Sequence, residues 1–356
     1  MKQHKCIYCL QIKDEKDFNR EHVVPQMMGT YVNGFVLNNF QVCKECNTYF
    51  SQQLENKISL DSYEAFLRIQ HRDKPMSDGH KLSENRIQII GDEGIFKGLK
   101  FSAVSDINNP YRIHFDAEPM VGIIESIEKG EYKYYSLGEI PEATEETISK
   151  MNKSAQPIVN TGIDRDLLGS VLIEKGYPFR QYTYSEKSIH EVYKEPEFTT
   201  AINLKIDSIM RRVCAKTVFN YLCYSTNKEF VLDSRFDPIR SYIRFGRWSD
   251  QLWFRYSTEP VSTVEMPNET AHAVGYMWYP ENNYWILCGC LTWFGNLTYV
   301  FKLGDTNQKI HKINPLPPTR MACFNNIDRT IVEDDAVHVF QEDKTELYQS
   351  IKLEEV

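Results

Sequence analysis

Two cysteine doublets constrain this chain more than any other feature of it. Cys6 and Cys9 form one C-x-x-C, and Cys43 and Cys46 form a second. Together they offer four thiolates, the set that closes a tetrahedral cage around one zinc ion. Between the doublets run Arg20-Glu21-His22-Val23-Val24-Pro25, a Gly-bearing loop and Asn38-Asn39, and Asn47 follows the last cysteine directly. A cage of four cysteines has no open coordination position, so this zinc is structural and chemistry must fall to other groups. Glu21, His22 and Asn47 are the polar residues that a zinc-folded platform would carry.

Folding around the doublets follows from the residues beside them. Glu21 to Val24 reads as a short strand that Pro25 ends, because proline cannot donate into a ladder. Asn33-Gly34 is a hairpin-type turn dipeptide, and Phe35 to Val42 reads as a second extended segment. After Cys43 a helix is expected, with Asn47, Phe50, Leu54 and Ile58 at helical spacing on one face. Two strands, one helix and a zinc make a ββα unit too small to stand without its metal. Neighbouring strand residues point to opposite faces, so a regular strand cannot aim Glu21 and His22 at one site. A bend or bulge before Pro25 is therefore expected.

At 356 residues the chain is long enough for further domains. The expected class is α+β: a small N-terminal ββα-metal module over residues 1–71, then a larger mixed domain over 72–356 with an internal boundary near 141–160. Short alternating segments at Arg86–Ile90, Leu99–Val104, Tyr111–Phe115 and Tyr132–Leu137 predict a β-rich layer, followed by a helix over Glu142–Met151. Residues 200–224 keep Ile202, Ile206, Ile209, Met210, Val213, Thr217 and Tyr221 at helical spacing. Arg211, Arg212 and Lys216 fall off that stripe and are read as a solvated basic face. A nucleic-acid groove built from these cations and nearby aromatics is the competing reading. His272 to Leu303 looks like strand, and Pro315-Leu316-Pro317-Pro318 marks an exit loop.

Charge and cysteine usage narrow the setting. No apolar run nears the roughly 18 residues of a membrane helix, and the start Met1-Lys2-Gln3-His4 has no apolar signal core. A cytoplasmic protein with reduced thiols and no membrane association is expected. Cys214, Cys223, Cys288, Cys290 and Cys323 sit among apolar residues and read as core packing. The histidines outside the motif, His71, His114 and His272 among them, lack metal-ligand spacing. The net charge of −8 is a global figure, and its acidic excess gathers in the tail from Glu333 to Glu355. It does not exclude local phosphate contacts.

With these residues in view, the first 60 or so positions resemble the HNH nuclease family, in its zinc-knuckle form. The resemblance rests on Glu21-His22-Val23-Val24-Pro25, Gly29, Asn38-Asn39 and Cys43-Lys44-Glu45-Cys46-Asn47, with Phe50 and Leu54 behind. It implies a metal-dependent endonuclease acting on DNA phosphodiesters, with His22 as the general base. It also implies one Mg²⁺ or Mn²⁺ ion held by the oxygens of Glu21 and Asn47. The family's middle asparagine corresponds to Asn38 or Asn39, with spacing back from Cys43 favouring Asn38. Position 21 is Glu where Asp is usual, and position 47 is Asn where many members carry His. Thr48-Tyr49-Phe50-Ser51 stands where a basic residue is often found. These departures bear on metal preference and turnover more than on reaction class.

Restriction or phage defence is the setting such fusions suggest, with DNA as partner. A homodimer or a protein partner engaged through the C-terminal domain stays open, since double-strand cutting by one site per chain is easiest in a dimer. Two other readings stay open as well. One is a zinc-dependent module that binds nucleic acid or protein without catalysis. The other is a nuclease selective for RNA or for a nucleic-acid structure.

Overall fold

The computed structural model of the protein describes residues 2–60, 62–71, 87–105, 109, 113–178, 199–258, 270–309, 319–334 and 354–355. The exit loop at 315–318 and most of the acidic tail lie outside the described residues, as do His80, His190, His311 and His338. The chain divides into two compact units, one built from Met1–Pro75 with Ile206–Val356 and the other from Met76–Lys205. Residues 1–71 thus share a unit with the stretch Ile206–Val356, and the unit that begins just after them is an insertion.

The N-terminal segment starts with a hairpin, β1 (Gln3–Lys5) against β2 (Ile12–Asp14), whose turn carries Cys6 and Cys9. A second ladder pairs β3 (Glu21–His22) with β4 (Val36–Leu37), Glu21 opposite Leu37 and His22 opposite Val36. The second strand is shorter than the expected 35–42, because Phe40 adopts a left-handed φ of 58° and turns the chain back towards Cys43. Extended Cys43 starts helix α1 (Lys44–Tyr49) and places Cys46 in its first turn. The helix continues through a π-turn at Phe50–Glu55 into α2 (Asn56–Leu60). Phe50, Leu54 and Ile58 are buried, the apolar stripe that the spacing predicted. Ser62 then caps α3 (Tyr63–Gln70), its hydroxyl accepting from Ala65 N at 3.0 Å.

The inserted unit is mixed. A four-stranded antiparallel sheet contains β5 (Ile87–Gly91), β6 (Lys100–Ser105), β7 (Ile113–Ala117) and the late strand β11 (Thr200–Leu204), in the order β11-β5-β6-β7. A three-stranded sheet holds β8 (Val121–Ser126) between β10 (Ile158–Asn160) and β9 (Glu131–Tyr135). Helices α4 (Glu145–Lys153) and α5 (Arg165–Glu174) accompany it, with Val121, Ile123, Met151 and Leu168 in their shared core. Strand β8 was not expected. Its run Val121-Gly122-Ile123-Ile124 is too short for its periodicity to declare a class.

The helix expected over 200–224 begins later. Ile202 lies in β11, paired with Ile89, and the helix α6 spans Ser208–Ser225. A spacing of four residues keeps one face in a strand as well as in a helix, so Ile202 and Ile206 fitted both patterns. Asp207 sets the true start, its carboxylate accepting from Ile209 N and Met210 N at 2.9 Å each.

After α6 come α7 (Lys228–Val231) and α8 (Asp237–Phe245), then a seven-stranded antiparallel sheet. Its strands are β12 (Phe254–Ser257), β13 (His272–Glu281), β14 (Tyr284–Trp293), β15 (Leu297–Lys309), β16 (Arg320–Phe324), β17 (Ile331–Asp334) and β18 (Glu354–Glu355). Helix α6 lies on this sheet at Gly289, where a Cβ would come within 2.7 Å of Val218 Cγ1. It is covered on its other side by the N-terminal segment, so its core runs from Met210 to Cys223 almost without a solvent face. The expectation of a solvated basic face therefore fails at Arg212 and Lys216, both buried. Arg212 instead donates to the carbonyls of Ile243 and Arg244 at the end of α8 and to the Tyr49 hydroxyl. Cys214, Cys223, Cys288 and Cys290 are buried in packing, and Cys323 partly so.

Candidate active site

Four sulfurs meet where the two knuckles face each other. The Sγ atoms of Cys6, Cys9, Cys43 and Cys46 all lie within 4.8 Å of one another. Cys9 and Cys43 are 3.8 Å apart, the sulfur separation that a tetrahedron with bonds of about 2.3 Å requires. Cys6, Cys43 and Cys46 are buried, Cys9 is part-exposed, and all four are free thiols. Cys43 N approaches Cys6 Sγ at 3.5 Å and Arg244 Nε approaches Cys46 Sγ at 3.3 Å, donors that offset thiolate charge around a metal. These residues fit a zinc ion, which would pin β1–β2 to the start of α1.

Strand alternation separates the two motif residues, and the bend expected before Pro25 comes after both, at Val23-Val24, so it does not turn them to one site. Glu21 points inward and is 5% exposed. His22 points the other way and lines a cleft of about 270 Å³ with Arg20, Val24, Gln26, Tyr31 and Phe324. The ladder ends at His22, the chain bends at Val23-Val24, and a 3₁₀ turn follows at Gln26–Met28. That turn brings Gln26 Nε2 to 3.0 Å from His22 Nε2. An amide N–H there makes Nε2 the lone-pair nitrogen of a neutral ring. Burial, and then the charges of Arg20 and Lys216, hold the His22 pKa below the ordinary histidine value. The turn is itself anchored from the sheet, since His272 Nε2 lies 2.8 Å from the Met28 carbonyl oxygen.

Glu21 enters a closed set of partners. Asn47 Nδ2 donates to its Oε2 at 2.5 Å and to the Arg20 carbonyl at 2.9 Å. Asn220 Nδ2, from α6, donates to its Oε1 at 3.2 Å and to the His22 carbonyl at 3.1 Å. Because both partners of each amide are acceptors, the nitrogen of each must face them. The Asn220 oxygen accepts from Tyr8 OH at 2.5 Å. Lys216 Nζ, one helical turn before Asn220, forms ion pairs with Glu21 Oε1 and with Glu55 Oε1. The π-turn widens the helix just where Glu55 must reach across to that ammonium. Burial would lower the Lys216 pKa, but the two carboxylates outweigh it and hold it above the ordinary lysine value. Burial pushes the Glu21 carboxyl up, with Lys216 pulling against it.

The sequence thus named Glu21, His22, Asn47 and the four cysteines, and the structure brings Glu21 and Asn47 into direct contact. Asn38 and Asn39 are exposed, and among the described residues neither side chain bonds to Glu21 or His22. Lys216, Asn220, Glu55, Tyr8 and Gln26 were missed. One signal for them was present: Lys216 and Asn220 stand four apart in a helix with Val213, Val218 and Phe219 around them. A helix apolar on nearly every side is buried, and its lysine must then be paired.

A four-cysteine knuckle beside a two-stranded ladder and helix, with Glu-His on the first strand, defines a ββα zinc module of nuclease type. Residues 6–61 match the family model described as HNH endonuclease, so this N-terminal segment is of that family. Searches of curated proteins and of solved structures gave no match to the chain. No helix among the described residues is long and apolar enough to cross a membrane.

Proposed function

We propose that the protein is an endonuclease that hydrolyses DNA phosphodiester bonds at the cleft beside β3. The observation that carries this reading is His22: a neutral imidazole, opening on a cleft that also presents Arg20, in a segment of the HNH endonuclease family. In the proposed step His22 Nε2 leaves Gln26 and takes a proton from a water molecule. The water oxygen bonds to phosphorus as the bond from phosphorus to the leaving 3′ oxygen breaks, and that oxygen takes a proton from solvent. Arg20 supplies a planar cation for the phosphate. The divalent ion expected at Glu21 and Asn47 does not fit these residues as they are folded, because both carboxylate oxygens are already bonded to cationic or amide nitrogen. Restriction or phage defence is the biological setting we attach to the activity by resemblance, and cutting both strands would call for two copies of the chain. Nicking of supercoiled plasmid by wild type, set beside His22→Ala with zinc counted in both, tests the reading. Wild-type nicking that survives His22→Ala would remove His22 from the mechanism.

A further inference from the structure

The buried ammonium is the feature of this molecule that the nuclease reading leaves over. Lys216 is 1% exposed and comes from α6, far in sequence from the motif it meets. Its nitrogen lies between Glu21 and Glu55 and 5.6 Å from the centre of the Phe50 ring. A lysine is rarely buried this far unless opposite charges hold it, and here two do.

We propose that Lys216 is the permanent cation of the Glu21–Asn47 site, standing where a divalent ion would otherwise be held, and that the folded protein takes no Mg²⁺ or Mn²⁺ there. Three observations point the same way. Glu21 Oε1 receives Lys216 and Asn220, and Glu21 Oε2 receives Asn47, so three of the roughly four acceptor sites of the carboxylate are taken by nitrogen donors and each oxygen already carries at least one. Asn47 turns its nitrogen towards Glu21, whereas an amide ligates a metal through oxygen. Glu21 is 5% exposed, while Mg²⁺ sheds water reluctantly and keeps several waters in most sites. A second cation against Glu21 would also face the Lys216 charge across a buried, weakly screened space.

Charge balance supports the assignment. Glu21 and Glu55 are two carboxylates brought together by β3 and the π-turn, and without a cation they repel. Lys216 joins them, buried itself and meeting the buried Glu21 on one side and the part-exposed Glu55 on the other. It therefore ties α6 to both halves of the module, and Asn220, one turn further along α6, holds the His22 carbonyl. In this role Lys216 is a positioning residue, since it is too buried to touch a substrate.

The inference rests on the nuclease reading only in taking Glu21 and Asn47 as the cation-holding pair, and its test does not depend on cleavage. Binding of Mn²⁺ to the zinc-loaded full chain, followed by the loss of the free-ion paramagnetic resonance signal, is the measurement. Wild type and Glu21→Gln are expected to bind Mn²⁺ alike and weakly. Lys216→Met with Glu55→Gln removes one charge of each sign, keeps the site's charge unchanged, and is expected to gain a Mn²⁺ site at least tenfold tighter. Adding Glu21→Gln to that pair is expected to abolish the gain. Mn²⁺ held by wild type and lost in Glu21→Gln would overturn the proposal. So would a folded, zinc-loaded double variant that gains no ion. Should the double variant not fold, Lys216→Gln alone carries the same comparison, with gain expected and no gain overturning it. A protein that binds Mn²⁺ as expected yet cuts no DNA would fault the nuclease reading and leave this one standing.

Discussion

The Asn220 amide nitrogen donates to the His22 carbonyl at 3.1 Å, so a helix almost 200 residues further along the chain fixes the backbone of the N-terminal motif. The same nitrogen reaches Glu21 Oε1 at 3.2 Å, and the amide oxygen takes the Tyr8 hydroxyl. Asn220→Ala would take the amide away from the part-buried His22 carbonyl and the buried Tyr8 hydroxyl, and from Glu21 Oε1, which keeps Lys216. Each such group costs about 1–3 kcal/mol, so a loss of at least roughly 2 kcal/mol is expected in urea unfolding. A change inside about 0.5 kcal/mol would mean that the three groups find other partners.

Removing the zinc is expected to loosen more than the knuckle. The cage ties β1–β2 to α1, and α1 leads into the π-turn that carries Glu55 to Lys216. Cys46→Ser, or chelation of the wild type, should release one zinc per chain and open the N-terminal segment to proteolysis. Because Arg244 and Tyr49 join this segment to α8 and α6, the thermal transition should fall as well. Intact protease resistance after complete zinc loss would show that packing against α6 alone holds the module.

His22→Ala should lower nicking by about 10²- to 10⁴-fold, the range for a lost general base, with zinc content unchanged. The sign of the pH effect follows from the ring's surroundings. Burial, Arg20 and Lys216 disfavour the imidazolium, so the neutral base persists at lower pH than in an ordinary histidine. The acid limb of the rate should therefore fall below a pH of about 6.5. An acid limb at or above that value would point to a different titrating group.

What could be read before the structure was the local part. The doublets, the strand before Pro25 and the stripe of Phe50, Leu54 and Ile58 are set by neighbouring residues, and each could be placed from spacing alone. The alternation that separates Glu21 from His22 also follows from strand geometry. Long-range pairings were another matter. Nothing near Glu21 says that its counter-ion lies at position 216, because that pairing exists only once α6 is covered on both sides. Lys216 seemed exposed since its place on the wheel is off the main apolar stripe. A helix sandwiched between a module and a sheet has no free face, and the wheel cannot show how many surfaces will cover it. Asn38 and Asn39 fit a motif spacing, and the structure leaves both exposed beside the left-handed turn at Phe40.

His272 offers a stability test that does not involve catalysis. Its ring is fully buried, accepts from Phe294 N at Nδ1 and faces the Met28 carbonyl with Nε2. With Nδ1 accepting, the neutral ring carries its proton on Nε2 and donates to Met28. Protonating Nδ1 would break the first bond and bury a charge, and burial brings the pKa down to about 3. In the unfolded chain the same ring takes its proton near pH 6.5, so between these values the unfolded state binds more protons than the folded one. The stabilisation is therefore complete above about pH 6.5 and drains away as pH falls through 3. Urea unfolding at pH 7 and pH 5 should show wild type losing stability, and His272→Gln should start lower at pH 7 but change less between the two. Equal pH slopes in the two proteins would mean that other groups account for the acid sensitivity and that the Phe294–His272–Met28 relay does not titrate as a unit.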